Sequence, residues 1–244
     1  MVHGAFPDAL LRQVEQESAS IDTSHLVLSR GSAQVKDEAP QGHGPATRLL
    51  LEELDGAEFR EFLTRVTGVE DLLDDPDHAL AGVHITPPGG FTKVHRDFRT
   101  HPTTGLFHRV NVLLFLNSDW QESFGGRLEL WSSDMSRLGR SILPVSNTMV
   151  IWETNDLTLH GLPDPLSCPP DRMRLSIAAY YYTREPHPDR ARRERVSYWA
   201  ARPGLDPPSL ERGTLGDRIR RATPISIRRA AASVRSRLLR RPYA

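Results

Sequence analysis

Between Ala81 and Thr183 the apolar residues come in short runs, each closed by a turn signal, and this punctuation limits what the chain can fold into. Seven runs read as strands: Gly82–Thr86, Phe91–Asp97, Arg109–Leu116, Arg127–Trp131, Met149–Glu153, Leu157–His160 and Met173–Thr183. The breaks hold Pro87-Pro88-Gly89-Gly90, Gly125-Gly126 and Pro163-Asp164-Pro165, residues that favour turns over continued pairing. Several short strands at this spacing predict a barrel or a two-sheet jelly roll.

The flanks read differently. Residues 7–18 predict a helix opened by Pro7 and Asp8, and residues 19–45 a loop with one strand at His25–Leu28. Residues 46–67 place Leu50, Leu54, Phe59, Phe62, Leu63 and Val66 at helical spacing, with Gly56 able to split the stretch in two. A third short helix is expected near Val69–Leu73. Beyond Pro186 the chain is rich in Arg and Pro, with two helices expected over Leu210–Ala222 and Ile225–Arg240. The reading is an α+β chain with a mainly β core: an N-terminal helical support region over 1–80, the β core over 81–184, and a basic, partly helical extension over 185–244.

Charge follows the same division. The 244 residues carry 31 basic and 31 acidic side chains, but residues 184–244 hold 16 Arg against six acids, leaving 15 basic against 25 acidic in the body. Zero net charge gives no footprint for nucleic acid. The basic extension is read as packing on the acidic body or on a second subunit, in preference to binding an anionic partner such as nucleic acid, ribosome or acidic lipid, which makes a homodimer through it an expectation. Cys168 is the one cysteine, so an internal disulfide is excluded. No stretch approaches the ~20 apolar residues of a membrane span, and no secretory leader is evident, so a cytoplasmic location is expected.

Three signals carry chemistry. In His95-Arg96-Asp97, residues two apart on a strand share a face, so an imidazole and a carboxylate point together into the sheet interior while Val94, Arg96 and Phe98 point away. His160 lies 63 residues beyond Asp97, after another strand-like segment. Two histidines and one carboxylate on one face of a metal leave the opposite face open, the facial triad of non-heme iron(II) oxygenases. Arg174 then opens the strand that ends in Thr183, with Ser176 on the same face. An arginine entering a sheet interior needs an anion, and its planar fork suits a carboxylate. Each signal has a bland reading: a chance H-x-D, a turn histidine, an internal salt bridge.

In this order, the three resemble the Fe(II)- and 2-oxoglutarate-dependent oxygenases of the prolyl 4-hydroxylase-like type. The segments HITPPGGFTKVHRDF and RVNVLLFLNSDWQESFGGRLELW are similar to strands of that family, with a glycine pair before H-x-D and an LN-x-x-W ending. The resemblance covers about residues 80–184. It implies a double-stranded β-helix (jelly roll), with His95, Asp97 and His160 as catalytic metal ligands. It also implies 2-oxoglutarate chelating Fe(II), with its far carboxylate on Arg174 and Ser176, and O2 as oxidant. The products implied are succinate, CO2 and a hydroxylated amino-acid residue or small metabolite. Asp97 stands where radical halogenases of the superfamily carry a small residue, which favours hydroxylation. Some members use a tyrosine where this chain has Phe115; Asn111, of the same parity, is then a candidate neighbour of the co-substrate, as is Arg109.

Other residues read as background. Trp152 and Tyr180-Tyr181-Tyr182 are expected in the packing, and His101 and His108 in a solvated loop at the mouth of the site. The competing functional readings are a cupin-like protein that binds a metal or small acid without oxygen chemistry, and a metal-dependent isomerase or hydrolase. Arg174 with Ser176 argues against the first, and the lack of a further carboxylate at suitable spacing against the second.

Overall fold

The computed structural model describes residues 1–21, 35–36, 43–75, 81–155, 157–186 and 198–206. The strand expected at His25–Leu28, both helices expected beyond Leu210, and with them the dimer contact assigned to the extension, lie outside the described residues.

Eleven strands are formed among the described residues: β1 Val2–His3, β2 Val35–Lys36, β3 Gly82–Thr86, β4 Thr92–Arg96, β5 Phe107–Phe115, β6 Leu128–Trp131, β7 Leu138–Ile142, β8 Thr148–Glu153, β9 Leu159–Leu162, β10 Arg174–Thr183 and β11 Tyr198–Trp199. They make two sheets, of order β1-β8-β5-β10-β3-β2 and β11-β4-β9-β6-β7, with antiparallel pairing throughout. All seven expected strands are present within a few residues of their expected limits. Two antiparallel sheets face to face match the two-sheet jelly roll. β7 was not foreseen: it is largely exposed, with only Ile142 buried, so it lacks the apolar alternation by which a strand is read.

The six-stranded sheet is covered on both faces, by the helices and by the second sheet, which explains why β10 is buried along its whole length. Leu175, Ile177, Ala179 and Tyr181 face outward with Val83, Ile85, Val112 and Leu114. They pack under three helices, α1 Asp8–Ala19, α2 Pro45–Asp55 and α3 Ala57–Thr67, through Leu11, Val14, Leu50, Leu54 and Leu63. Tyr181 completes this layer by donating its hydroxyl to the Leu54 carbonyl at 2.7 Å. Leu113, Phe115, Val150, Ala178, Tyr180 and Tyr182 face the other way and meet Leu128 and Ile142 of the second sheet.

The helices follow the expected limits, with Gly56 separating α2 from α3. Glu17 ties α1 to the start of α2, accepting from the Ala46 and Thr47 amides and the Thr47 hydroxyl at 3.0, 2.8 and 2.6 Å. The helix expected near Val69–Leu73 does not form. That segment bends at Asp71, which takes a positive φ of 54°, and the Leu73 amide and carbonyl both pair with Tyr182, because the end of β10 offers backbone partners that a single helical turn would forgo. Among the described residues, no helix is long and apolar enough to cross a membrane.

Candidate metal centre and anion pocket

β4 and β9 run side by side with His95 directly opposite His160, and the two rings lie 4.4 Å apart. The register slips by one residue between Thr92 and His95. This bulge places both Thr92 and His95 toward the cavity despite their odd spacing, a common device beside functional sites. Gly161 allows the close approach: a Cβ there would stand 2.8 Å from the Thr92 carbonyl oxygen and 2.9 Å from that of Lys93.

Asp97 follows immediately after β4. Its carboxylate oxygens lie 3.3 Å from His95 Nε2 and 3.5 Å from His160 Nε2. The three side chains offer ligand atoms that all fall within 4.8 Å of one another. His95 Nδ1 stands 2.9 Å from the Lys93 carbonyl, to which it donates, so that Nε2 keeps its lone pair toward the cluster. Asn111, reaching across from the other sheet, gives its amide to Asp97 Oδ2 at 2.5 Å. Burial works to raise the Asp97 pKa, but the His160 and His95 rings outweigh it and hold the carboxyl well below its ordinary range.

The rule of alternation fails one residue later. Phe98, expected to point away, packs inside against Tyr180 and stacks on His108 at 4.7 Å. The strand ends at Arg96, so Asp97 and Phe98 lie beyond its alternation, Asp97 lining the cavity and Phe98 packing on the core. His108 holds this segment through its Nδ1, 3.2 Å from the Phe98 carbonyl.

His101 and His108 are not solvated; each is at most 1% exposed. His101 Nε2 bonds Asp75 at 3.0 Å, and its Nδ1 accepts from the Thr103 and Thr104 amides. These contacts use both ring nitrogens, so His101 fastens the loop and does not face a substrate.

At the far end of the cavity lies Arg174, 2% exposed. Its Nε donates to the Gly126 carbonyl at 2.9 Å, and its guanidinium lies over the Phe115 ring, 5.0 Å from the centroid. Among the described residues no carboxylate meets it: one terminal nitrogen is buried without a partner, and burial pushes its pKa down to about 10. The hydroxyls of Ser176 and Thr92, both lining the same cavity, are also buried and without partners. His84, opposite Ser176 in register, lines it too. Arg109 turns elsewhere, to Thr183 at 3.4 Å.

The structure thus brings His95, Asp97, His160, Arg174, Ser176 and Asn111 to one cavity. It sets Asn111 beside Asp97, opposite Tyr180 and six residues along β10 from Arg174. Two tryptophans flank the histidines. Trp152 meets His160 at 4.8 Å and Trp199 meets His95 at 4.9 Å; Trp152, expected in the packing, packs on the core and lines the cavity as well. Its place on the cavity face follows from its register opposite Asn111, which only the sheet pairing reveals.

Comparison with known proteins accords with this geometry. Residues 81–182 match the family described as the 2OG-Fe(II) oxygenase superfamily. The prolyl 3-hydroxylase OGFOD1 of Mus musculus is 27% identical over 144 residues, covering 57% of this chain and 24% of its own length. The prolyl 3,4-dihydroxylase OGFOD1 of Ostreococcus tauri is 27% identical over 208 residues, covering 78% of this chain and 38% of its own. The chain therefore spans well under half the length of these relatives. A Pseudomonas putida prolyl-4-hydroxylase shares the fold with a TM-score of 0.56 at 22% identity, over 75% of this chain and 91% of that one. A prolyl hydroxylase from Trichoplax adhaerens, solved with a hypoxia inducible factor peptide fragment, does so with a TM-score of 0.54 at 16% identity, over 74% and 81%. Over residues 81–182 the chain is similar to the 2OG-Fe(II) oxygenase superfamily, whose pattern it matches there.

Proposed function

We propose that this protein is an Fe(II)- and 2-oxoglutarate-dependent dioxygenase that hydroxylates an unactivated C–H bond of an amino-acid residue or small metabolite on a double-stranded β-helix. The observation that carries the reading is one cavity with two unsatisfied demands. At one end His95, Asp97 and His160 bring three ligand atoms within 4.8 Å of one another, a set that a cation would complete. At the other end Arg174 is buried with no anion beside it among the described residues. Two imidazoles and one carboxylate suit Fe(II) with open positions, and a five-carbon diacid that chelates a metal at one end and carries a carboxylate at the other answers both demands.

His95, Asp97 and His160 would hold the iron, and Arg174 with Ser176 the far carboxylate. When bound, Fe(II) with 2-oxoglutarate and O2 supplies the oxidising chemistry, yielding succinate, CO2 and a hydroxylated product. The chain's own part is positional. Asn111 orients the Asp97 carboxylate, Lys93 fixes the His95 tautomer, and Trp152 and Trp199 wall the histidines from water. Prolyl hydroxylase activity belongs to the relatives, and a peptidyl substrate for this chain is supported by them alone.

The test is oxygen-dependent formation of succinate from 2-oxoglutarate by the iron-loaded protein. The reading requires turnover that His95→Ala abolishes and for which Arg174→Ala raises the KM for 2-oxoglutarate. Tight metal binding without succinate in the presence of candidate peptides would favour a cupin-like binding protein.

A further inference from the structure

Asn111 and Trp152 stand opposite each other in register on β5 and β8, on the face that lines the cavity. The Asn111 side chain cannot be turned round. Its nitrogen donates to Asp97, and an ionised carboxylate only accepts, so the amide nitrogen must face it. The amide oxygen Oδ1 is therefore left as an acceptor, and it is buried with no hydrogen-bond partner. The Trp152 indole can only donate, and its Nε1 is likewise buried and without a partner. Directly opposed residues on antiparallel strands hold their Cβ atoms about 5 Å apart. One unmet acceptor and one unmet donor thus share the cavity wall beside the metal cluster.

2-Oxoglutarate does not account for the pair. Its far carboxylate belongs at Arg174, and the end that would reach the metal beside Asp97 carries only acceptor oxygens. A dicarboxylate thus has no hydrogen to give to Asn111 Oδ1. The pair therefore calls for a second molecule that presents an acceptor and a donor together.

We propose that Asn111 and Trp152 position the primary substrate by gripping an amide, with Trp152 Nε1 donating to its carbonyl oxygen and Asn111 Oδ1 accepting from its N–H. The proposal rests on the oxygenase reading and adds to it the group that is recognised. In an extended peptide the N–H and C=O of one residue point to the same side, as they do in a strand pair. A primary carboxamide offers the same two groups along one edge. An ester or tertiary amide offers only the acceptor and leaves Asn111 Oδ1 dry, which disfavours it.

The experiment uses the full chain labelled with 15N-tryptophan and loaded with zinc(II), a redox-inert substitute for iron, and 2-oxoglutarate. The indole resonance of Trp152 is identified by its loss in Trp152→Phe. Trp199→Phe removes the other indole beside the histidines, so identification does not depend on one variant folding. Trp120 and Trp131, already bonded to the Gly125 carbonyl and to Glu129, serve as references. Titration with N-acetylglycine N-methylamide is expected to move the Trp152 N–H resonance downfield to saturation. N-acetylsarcosine N-methylamide, which lacks that N–H, should bind about fivefold more weakly, the effect of one hydrogen bond. A stronger response to acetamide would also support the proposal and identify a carboxamide as the source of the group. An unmoved Trp152 resonance with all three probes, or equal binding of the glycine and sarcosine compounds, overturns it. The oxygenase reading fails separately, through the absence of a 2-oxoglutarate–iron(II) charge-transfer band in the parent protein.

Discussion

His95 and His160 face each other across β4 and β9 because Gly161, the residue after the second histidine, carries no side chain. The Lys93 carbonyl that a Cβ at 161 would strike is the same one that fixes the His95 tautomer. Gly161→Ala, which changes no ligand, is therefore expected to push β4 away from β9 and weaken metal binding about 10- to 100-fold, the usual cost of losing support behind a ligand. Titration of the metal-free protein with iron(II) or zinc(II) checks this; parent-like affinity would show that the strands have room to spare.

Arg174 makes an opposite kind of prediction. A buried cation with no anion weakens the fold that holds it, and an apolar residue of similar volume removes that cost. Arg174→Met is expected to leave the ligand-free protein as stable as the parent or more stable by up to about 2 kcal/mol, while abolishing the stabilisation that 2-oxoglutarate gives the metal-loaded parent. The sign also follows from its titration. The folded-state pKa is depressed to about 10, so the cost is present in full below pH 10 and is relieved as the pH rises above it. Denaturant unfolding with and without 2-oxoglutarate separates the two effects, and a large loss of stability in the ligand-free variant would contradict them.

Glu17 tests how the helical layer is held. Burial works to raise its pKa, but the Thr47 hydroxyl and the Ala46 and Thr47 amides outweigh this and lower it. A depressed carboxyl stabilises the fold above its unfolded value and loses that contribution as the pH falls through its folded value. Glu17→Ala should cost about 1 kcal/mol at pH 7, as loss of a helix cap does, and the difference from the parent should shrink below about pH 4. A difference independent of pH would assign the loss to packing instead.

Much of the site was legible because its chemistry follows strand periodicity. His95 and Asp97 share a face, Arg174 and Ser176 share another, and all four line one cavity. What escaped depended on departures from that period or on partners distant in sequence. The bulge brings Thr92 to the same face as His95, and the end of β4 at Arg96 turns Phe98 inward. His101 looked solvated because Asp75, which anchors it, precedes it by 26 residues with no pattern linking the two. Trp152 and Trp199 owe their positions to register, opposite Asn111 and His95, and register is not written in any single segment. In the fold, the strands with apolar alternation were readable, whereas exposed β7 and the two-residue strands β1 and β11 were not.

The central claim is that one cavity holds iron at His95, Asp97 and His160 and a keto diacid between that iron and Arg174. The most direct measurement is the visible spectrum of the purified protein after anaerobic addition of iron(II) and then 2-oxoglutarate. Bidentate chelation predicts a weak metal-to-ligand charge-transfer band that is absent in His95→Ala and needs more 2-oxoglutarate to appear in Arg174→Ala. Iron binding without the band, or a band indifferent to Arg174, would contradict the account.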